Sequence, residues 1–186
     1  MKLQRRSRQR GASMIEVLVS IVIASIGLLG MAGISAASLK YAKLSQYRAT
    51  ASQLATGMAE RMRANGANLN NLVNYQYTAS FADQGALGSA PPMCSTALDN
   101  CSPQELAAAD LWQWRAMARE LLPAGSVTLV PDTLSPGAAD LWVAWLDPSL
   151  PSGAEIVRTG GARECPLTLT VTDLPDVRCL HLRVRL

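Results

Sequence analysis

The chain has a single histidine, His181, and no second one to pair with it. That excludes H-E-x-x-H zinc chemistry and any site built on two imidazoles. There is no P-loop and no glycine-rich dinucleotide fingerprint, which removes the common nucleotide-dependent classes. No serine or cysteine lies near His181 by any motif, so His181 reads as a surface or edge residue of a sheet. The four cysteines, Cys94, Cys101, Cys165 and Cys179, are spaced by seven, 64 and 14 residues and contain no C-x2-C pair. Zinc is disfavoured by that spacing, and an even count suits disulfides better. A cysteine nucleophile would need an unpaired, low-pKa thiol, and four paired cysteines leave none. Charge is also missing where it is most informative: from Val17 to Leu39, 23 residues carry no ionisable side chain.

As a helix, that run covers roughly the 30 Å hydrocarbon core of a bilayer. Five cations precede it, Lys2, Arg5, Arg6, Arg8 and Arg10, together with one acid, Glu16. The cations hold that end in the cytoplasm and direct the rest outward. An ordinary secretory signal with a cut site near Ser35, Ala36 and Ala37 would have a shorter apolar core. An unprocessed membrane anchor is the other plain reading. Both leave Glu16 unexplained, and a carboxylate at membrane depth costs about 2.5–3.5 kcal/mol.

The string Gly11, Ala12, Ser13, Met14, Ile15, Glu16 followed by the apolar run resembles the class III signal of type IV pilins and type II secretion pseudopilins. The stretch EVLVSIVIASIGLLGMAG, continuing through Arg48 and Met58 to AERMRAN, is similar more narrowly to the PilV minor pilins. The resemblance implies that a prepilin peptidase cuts between Gly11 and Ala12 and methylates the new amine of Ala12. It implies that Glu16, the fifth residue after the cut, pairs with a neighbouring subunit during assembly. Ala12 departs from the Phe or Met usual at that position. The implied function is a minor pilin that joins other minor pilins and the major pilin to prime, cap or modify a type IV pilus. The implied location is a single pass of the inner membrane with a periplasmic head, then the pilus, at its tip. No cofactor, metal or small-molecule substrate is implied, and the protein reads as structural. A type II secretion minor pseudopilin is the alternative, and a membrane-tethered periplasmic enzyme or redox protein is a third.

Removing the five leader cations from the 17 basic residues leaves 12 against 14 acidic ones. The basic pI therefore belongs to the leader and gives no argument for nucleic-acid binding.

Four segments follow: a leader at 1–11, the membrane or fibre-core half of a stem helix at 12–39, its amphipathic half at 40–65, and a periplasmic head at 66–186. Leu44, Tyr47, Ala51, Leu54, Met58 and Met62 recur at three- and four-residue steps and predict one face of a helix. Asn65 and Gly66 supply its stop. A continuous helix from Ala12 to Ala64 would be about 80 Å long, too long for a small domain to bury. Gly27, Gly30 and Gly33 lie in the membrane half, either for close helix packing or as a segment able to unwind when the subunit enters a fibre.

From Gly66 to Ser102, Asn, Gly, Ser and Pro predict a long connector that carries function or wraps the surface. Ser102, Pro103 and Glu105 predict a capping box opening a helix that runs to Leu122. Its buried stripe is Ala107, Leu111, Trp114, Ala118 and Leu121, with Trp112 off that line. Four strands are expected, at Val127–Val130, Leu141–Leu146, Leu167–Val171 and Leu180–Leu186. The fold class is α+β: a pilin-like long N-terminal helix on a small antiparallel sheet, with one further helix.

Proximity pairs Cys94 with Cys101 across an eight-residue loop. Cys165 with Cys179 is the remainder, and pilins often staple a C-terminal loop this way. A tight hairpin of the last two strands would leave those cysteines about 20 Å apart, against the roughly 7 Å a disulfide allows. Hairpin and bond therefore conflict, and the hairpin is the weaker expectation. Asp132, Asp140, Asp147, Asp173 and Asp176 fall in or beside loops, where turn roles are expected ahead of a calcium site.

Overall fold

The computed structural model describes residues 13–65, 69–92, 94, 100–148, 165–170 and 176–186. Two compact units divide the chain, Met1–Lys43 and Leu44–Leu186. Helix α1, Met14–Asn65, contributes to both. In the first unit every described residue is exposed, including Ile23, Leu29 and Ile34 at 65–74%. This part of α1 is apolar on all sides, the signature of a helix that lies in lipid or among other chains. By length and composition it can cross a membrane.

The second unit is a packed head. α1 contributes Ala51, Leu54, Ala55, Met58, Ala59 and Met62 to its core. Alternating alanine and methionine on that face let α2, Pro103–Leu121, and the sheet approach closely. The sheet is antiparallel in the order β1 (Ser126–Pro131), β2 (Ala138–Leu146), β3 (Val177–Arg185). Leu129, Leu141 and Leu182 align across it, and with Val127, Val143, Trp145 and Val184 they face the core formed by α1 and α2. The α+β architecture is thus the one the residue pattern predicts.

The capping box of α2 is complete. The Glu105 N–H donates to Ser102 Oγ at 3.3 Å, and the Ser102 N–H donates to Glu105 Oε2 at 2.8 Å. That backbone donor, followed by the Ser102 hydroxyl, holds the Glu105 carboxyl below its ordinary range. The other end of α2 differs from expectation. Leu121 is 53% exposed and Leu122 only 2%. The helix stops one residue early, and extended backbone at Leu122 (φ −123°, ψ 141°) redirects its side chain inward. Ala124 follows with φ 48°, and Gly125 passes so close to α2 that a Cβ there would lie 1.9 Å from the Ala118 carbonyl oxygen.

The third of the four expected strands does not form in its described residues. Leu167–Leu169 is a 3-10 turn, entered from Pro166 and closed by Thr170 in the left-handed region at φ 53°; Val171 lies outside the described residues. Its alternation had a different cause: Leu169 is fully buried and Leu167 is 94% exposed. With no strand there, no tight hairpin forms, and the conflict with the cysteine pair disappears. Cys165 and Cys179 are bonded, with Cα atoms 5.2 Å apart. The bond fixes the turn on the face of the sheet opposite the main core, where Leu169 packs with Ala144, Val177 and Phe81. Cys94 and Cys101 form the other disulfide, Cα atoms 6.1 Å apart.

The described parts of the connector wrap the head. They hold 3-10 turns at Leu69–Tyr75 and Asp83–Gly85, and Tyr77 pairs with Leu129 at the free side of β1. Buried Gln84 donates to the Ala79 carbonyl at 3.2 Å and accepts from the Val127 N–H at 2.8 Å, satisfying both ends of its amide.

Candidate functional site

The sequence points to the start of α1. Helical hydrogen bonding begins at Ser13, whose carbonyl accepts from the Glu16 N–H at 2.9 Å and the Val17 N–H at 3.3 Å. Glu16 therefore lies in the first turn, where the helix dipole favours a negative charge. Its side chain borders a shallow groove along the helix with Val17, Ser20, Ile21 and Ala24. At about 100° per residue these five fall on one side of α1. Ser20 turns its hydroxyl back onto the Glu16 carbonyl at 2.7 Å, so it offers a small, self-satisfied surface. The arrangement is one carboxylate at the head of an uncovered apolar helix. Gly11 and Ala12, the expected cleavage pair, lie outside the described residues.

Gly27, Gly30 and Gly33 sit in uninterrupted α-helix. A Cβ on any of them would meet nothing within 4 Å. Contacts within this chain therefore do not require glycine there, whichever role the three serve.

Among the described residues, Asp132, Asp140 and Asp147 have local partners, while Asp173 lies outside them. Asp132 accepts from the Leu134 N–H at 2.8 Å and pairs with Arg183. These two, the backbone donor first, hold its carboxyl below the ordinary range. Asp140 joins Arg183 at 3.0 Å and His181 at 2.8 Å. His181 also stacks on Trp142, with ring centroids 4.6 Å apart. It is exposed on β3, an edge strand of the sheet. Asp147 lies 3.7 Å from Arg178 Nε. Among the described residues, no three His, Cys, Asp or Glu side chains are grouped to hold a metal.

A polar clasp between α1 and α2 had no signature in the sequence. Arg61 donates to Asp110 at 3.1 Å and to Gln113 at 2.7 Å. The Tyr75 hydroxyl donates to the other Asp110 oxygen at 2.8 Å and accepts from Asn65 at 2.9 Å. Asn65 reaches on to the Pro103 carbonyl at 3.0 Å. Burial, opposed by Asn65 and reinforced by Asp110, pushes the Tyr75 phenol well above its usual range. Trp114 adds a bond from its indole to the Leu54 carbonyl at 3.0 Å. Only the place of Arg61, three residues after the buried Met58 and next to the buried Met62, could have hinted at a charge near the core.

Residues 6–32 match the prokaryotic N-terminal methylation motif. Residues 35–112 match the family model described as type IV pilin Tt1218. Over these residues the chain is similar to type IV pilins. The pilin match takes in the outer half of α1, the connector and the first half of α2, and ends before the sheet and the Cys165–Cys179 bond. No curated protein and no solved structure matches the chain. Type IV pilins are structural subunits. A methylation motif at the head of an apolar helix implies membrane anchoring, processing by a prepilin peptidase and assembly with other pilins.

Proposed function

We propose that this type IV pilin-like chain is a minor pilin of PilV type. In this reading residues 1–11 are a leader removed between Gly11 and Ala12, and Ala12 becomes the methylated terminus. Residues 12–39 hold the subunit in the inner membrane and later in the fibre core, residues 40–65 complete the stem, and 66–186 form a periplasmic head. Other minor pilins and the major pilin are its partners, and it primes, caps or modifies a pilus at the tip.

The observation that carries this reading is Glu16 in the first turn of α1, at the head of its exposed apolar stretch and inside the methylation-motif match. After the cut, the Ala12 amine and the Glu16 carboxylate are four residues apart in the sequence. Each can neutralise the other in the membrane or pair with an adjacent subunit, where a charge pair in a low dielectric sets register more reliably than it adds stability. The type IV pilin match over 35–112 favours a pilus over a type II secretion machine. Glu16→Ala is expected to leave the protein cleaved and inserted, yet absent from fibres and from complexes with other pilins. Immunoblots of sheared fibres against membrane fractions measure this, and normal incorporation refutes the role given to Glu16.

A further inference from the structure

Between Glu16 and Glu60, α1 carries no acidic residue, while Lys40, Lys43 and Arg48 follow directly on the uncharged run. All three cations are exposed. Among the described residues none of them pairs with a carboxylate. Tyr41 lies between the lysines at 70% exposure. At about 100° per residue, Lys40 and Lys43 lie about 60° apart on the helix, with Tyr41 on the flank of that basic face. Lys40 is roughly 36 Å along the axis from Glu16, which is the hydrocarbon thickness plus a few ångströms of headgroup. That depth suits tyrosine, whose ring and hydroxyl match the boundary between tails and headgroups. Lysine and arginine stems can lie along the tails while their charged ends reach the phosphates.

We propose that Lys40, Tyr41 and Lys43 bind anionic phospholipid headgroups in the leaflet that α1 reaches at the far end of its span. The contact fixes the depth of the subunit in the membrane. The inference rests on membrane anchoring by residues 17–39, and not on fibre assembly.

The test uses the full chain carrying Tyr41→Trp, in vesicles of phosphatidylglycerol and phosphatidylcholine. One lipid class at a time carries bromine near the headgroup end of its acyl chains. The unsubstituted protein supplies the background from its four native tryptophans. Bromine quenches only adjacent indoles, so the signal at position 41 reports lipid at this face and not lipid gathered by the leader. Brominated phosphatidylglycerol should quench position 41 with roughly fivefold preference at equal mole fraction, the enrichment expected of about one well-placed cation. Adding K40Q and K43Q should abolish the preference. A second chain with Leu28→Trp monitors insertion. Equal quenching by both lipids, with position 28 quenched, overturns the headgroup site and leaves anchoring intact. Absence of quenching at position 28 overturns anchoring, and the site with it.

Discussion

Removing one oxygen from Tyr75 tests whether the clasp stabilises the head or merely decorates it. Tyr75→Phe keeps the ring, which is 1% exposed and part of the core, and deletes only the hydroxyl. That hydroxyl donates to a carboxylate at 2.8 Å, a bond to a charged group worth about 1.5–3 kcal/mol. The partners left behind are not orphaned: Asp110 keeps Arg61, and Asn65 keeps the Pro103 carbonyl. The desolvation penalty is therefore small, and the expected loss lies in the lower part of that range, about 2 kcal/mol. For a unit of this size the melting temperature should fall by about 4–8 °C. Thermal unfolding of the full chain in detergent micelles, followed by the near-ultraviolet dichroism of its tryptophans, measures it.

A second arm of the same experiment fixes the mechanism. Because the folded phenol titrates above its unfolded value, near 10, its contribution is complete below about pH 10 and is lost as pH rises beyond that. Above pH 10 the unfolded chain releases a proton that the folded chain retains, so stability falls with pH. Phenylalanine cannot contribute this slope. The gap between the two proteins should narrow from about pH 8 to about pH 11. A Tyr75→Phe change under about 0.5 kcal/mol, or a gap that does not narrow, would refute the reasoning.

Gly125→Ala should destabilise the head by about 3 kcal/mol or more, because the new methyl would collide with backbone at Ala118; wild-type stability by urea titration would show that the turn can shift aside. Replacing Cys165 and Cys179 together by serine should cost about 3 kcal/mol, the chain-entropy estimate for a loop of this length, with thermal unfolding of the oxidised parent as reference. That double variant should also expose the Phe81 and Leu169 cluster to a hydrophobic dye, and an unchanged transition would mean the turn holds its place without the bond.

The sequence was most legible where one local rule decided the outcome. Ser102, Pro103 and Glu105 placed the start of α2, because a cap satisfies donors that every helix leaves open. The three- and four-residue period located the buried face of α1, though Ala55 and Ala59 escaped notice because small residues carry little hydrophobic signal. Legibility failed where long-range contacts overrode local pattern. Leu167 and Leu169 alternate as a strand would, but Pro166 and Thr170 bend the backbone into a turn and the disulfide pins it. Asp110, Arg61 and Tyr75 are far apart in sequence, and nothing short-range marks them as partners. The candidate site was legible for the opposite reason: Glu16 stands out against a run without charge, and that contrast depends on no fold at all.

This difference gives the two kinds of variant separable consequences. Among the described residues, the main core of the head takes in none before Tyr47, and all those from 13 to 43 are exposed. Glu16 and Tyr75 therefore share no partner, and effects at sites without shared partners add to within a few tenths of a kcal/mol. Glu16→Ala should leave the unfolding transition of the head where it was, while Tyr75→Phe should lower it without touching the head of α1. If Glu16→Ala shifted that transition, its absence from fibres would follow from damage to the head. An unshifted transition with lost incorporation would locate the defect at the carboxylate itself, because the folded head would then be the same in both proteins.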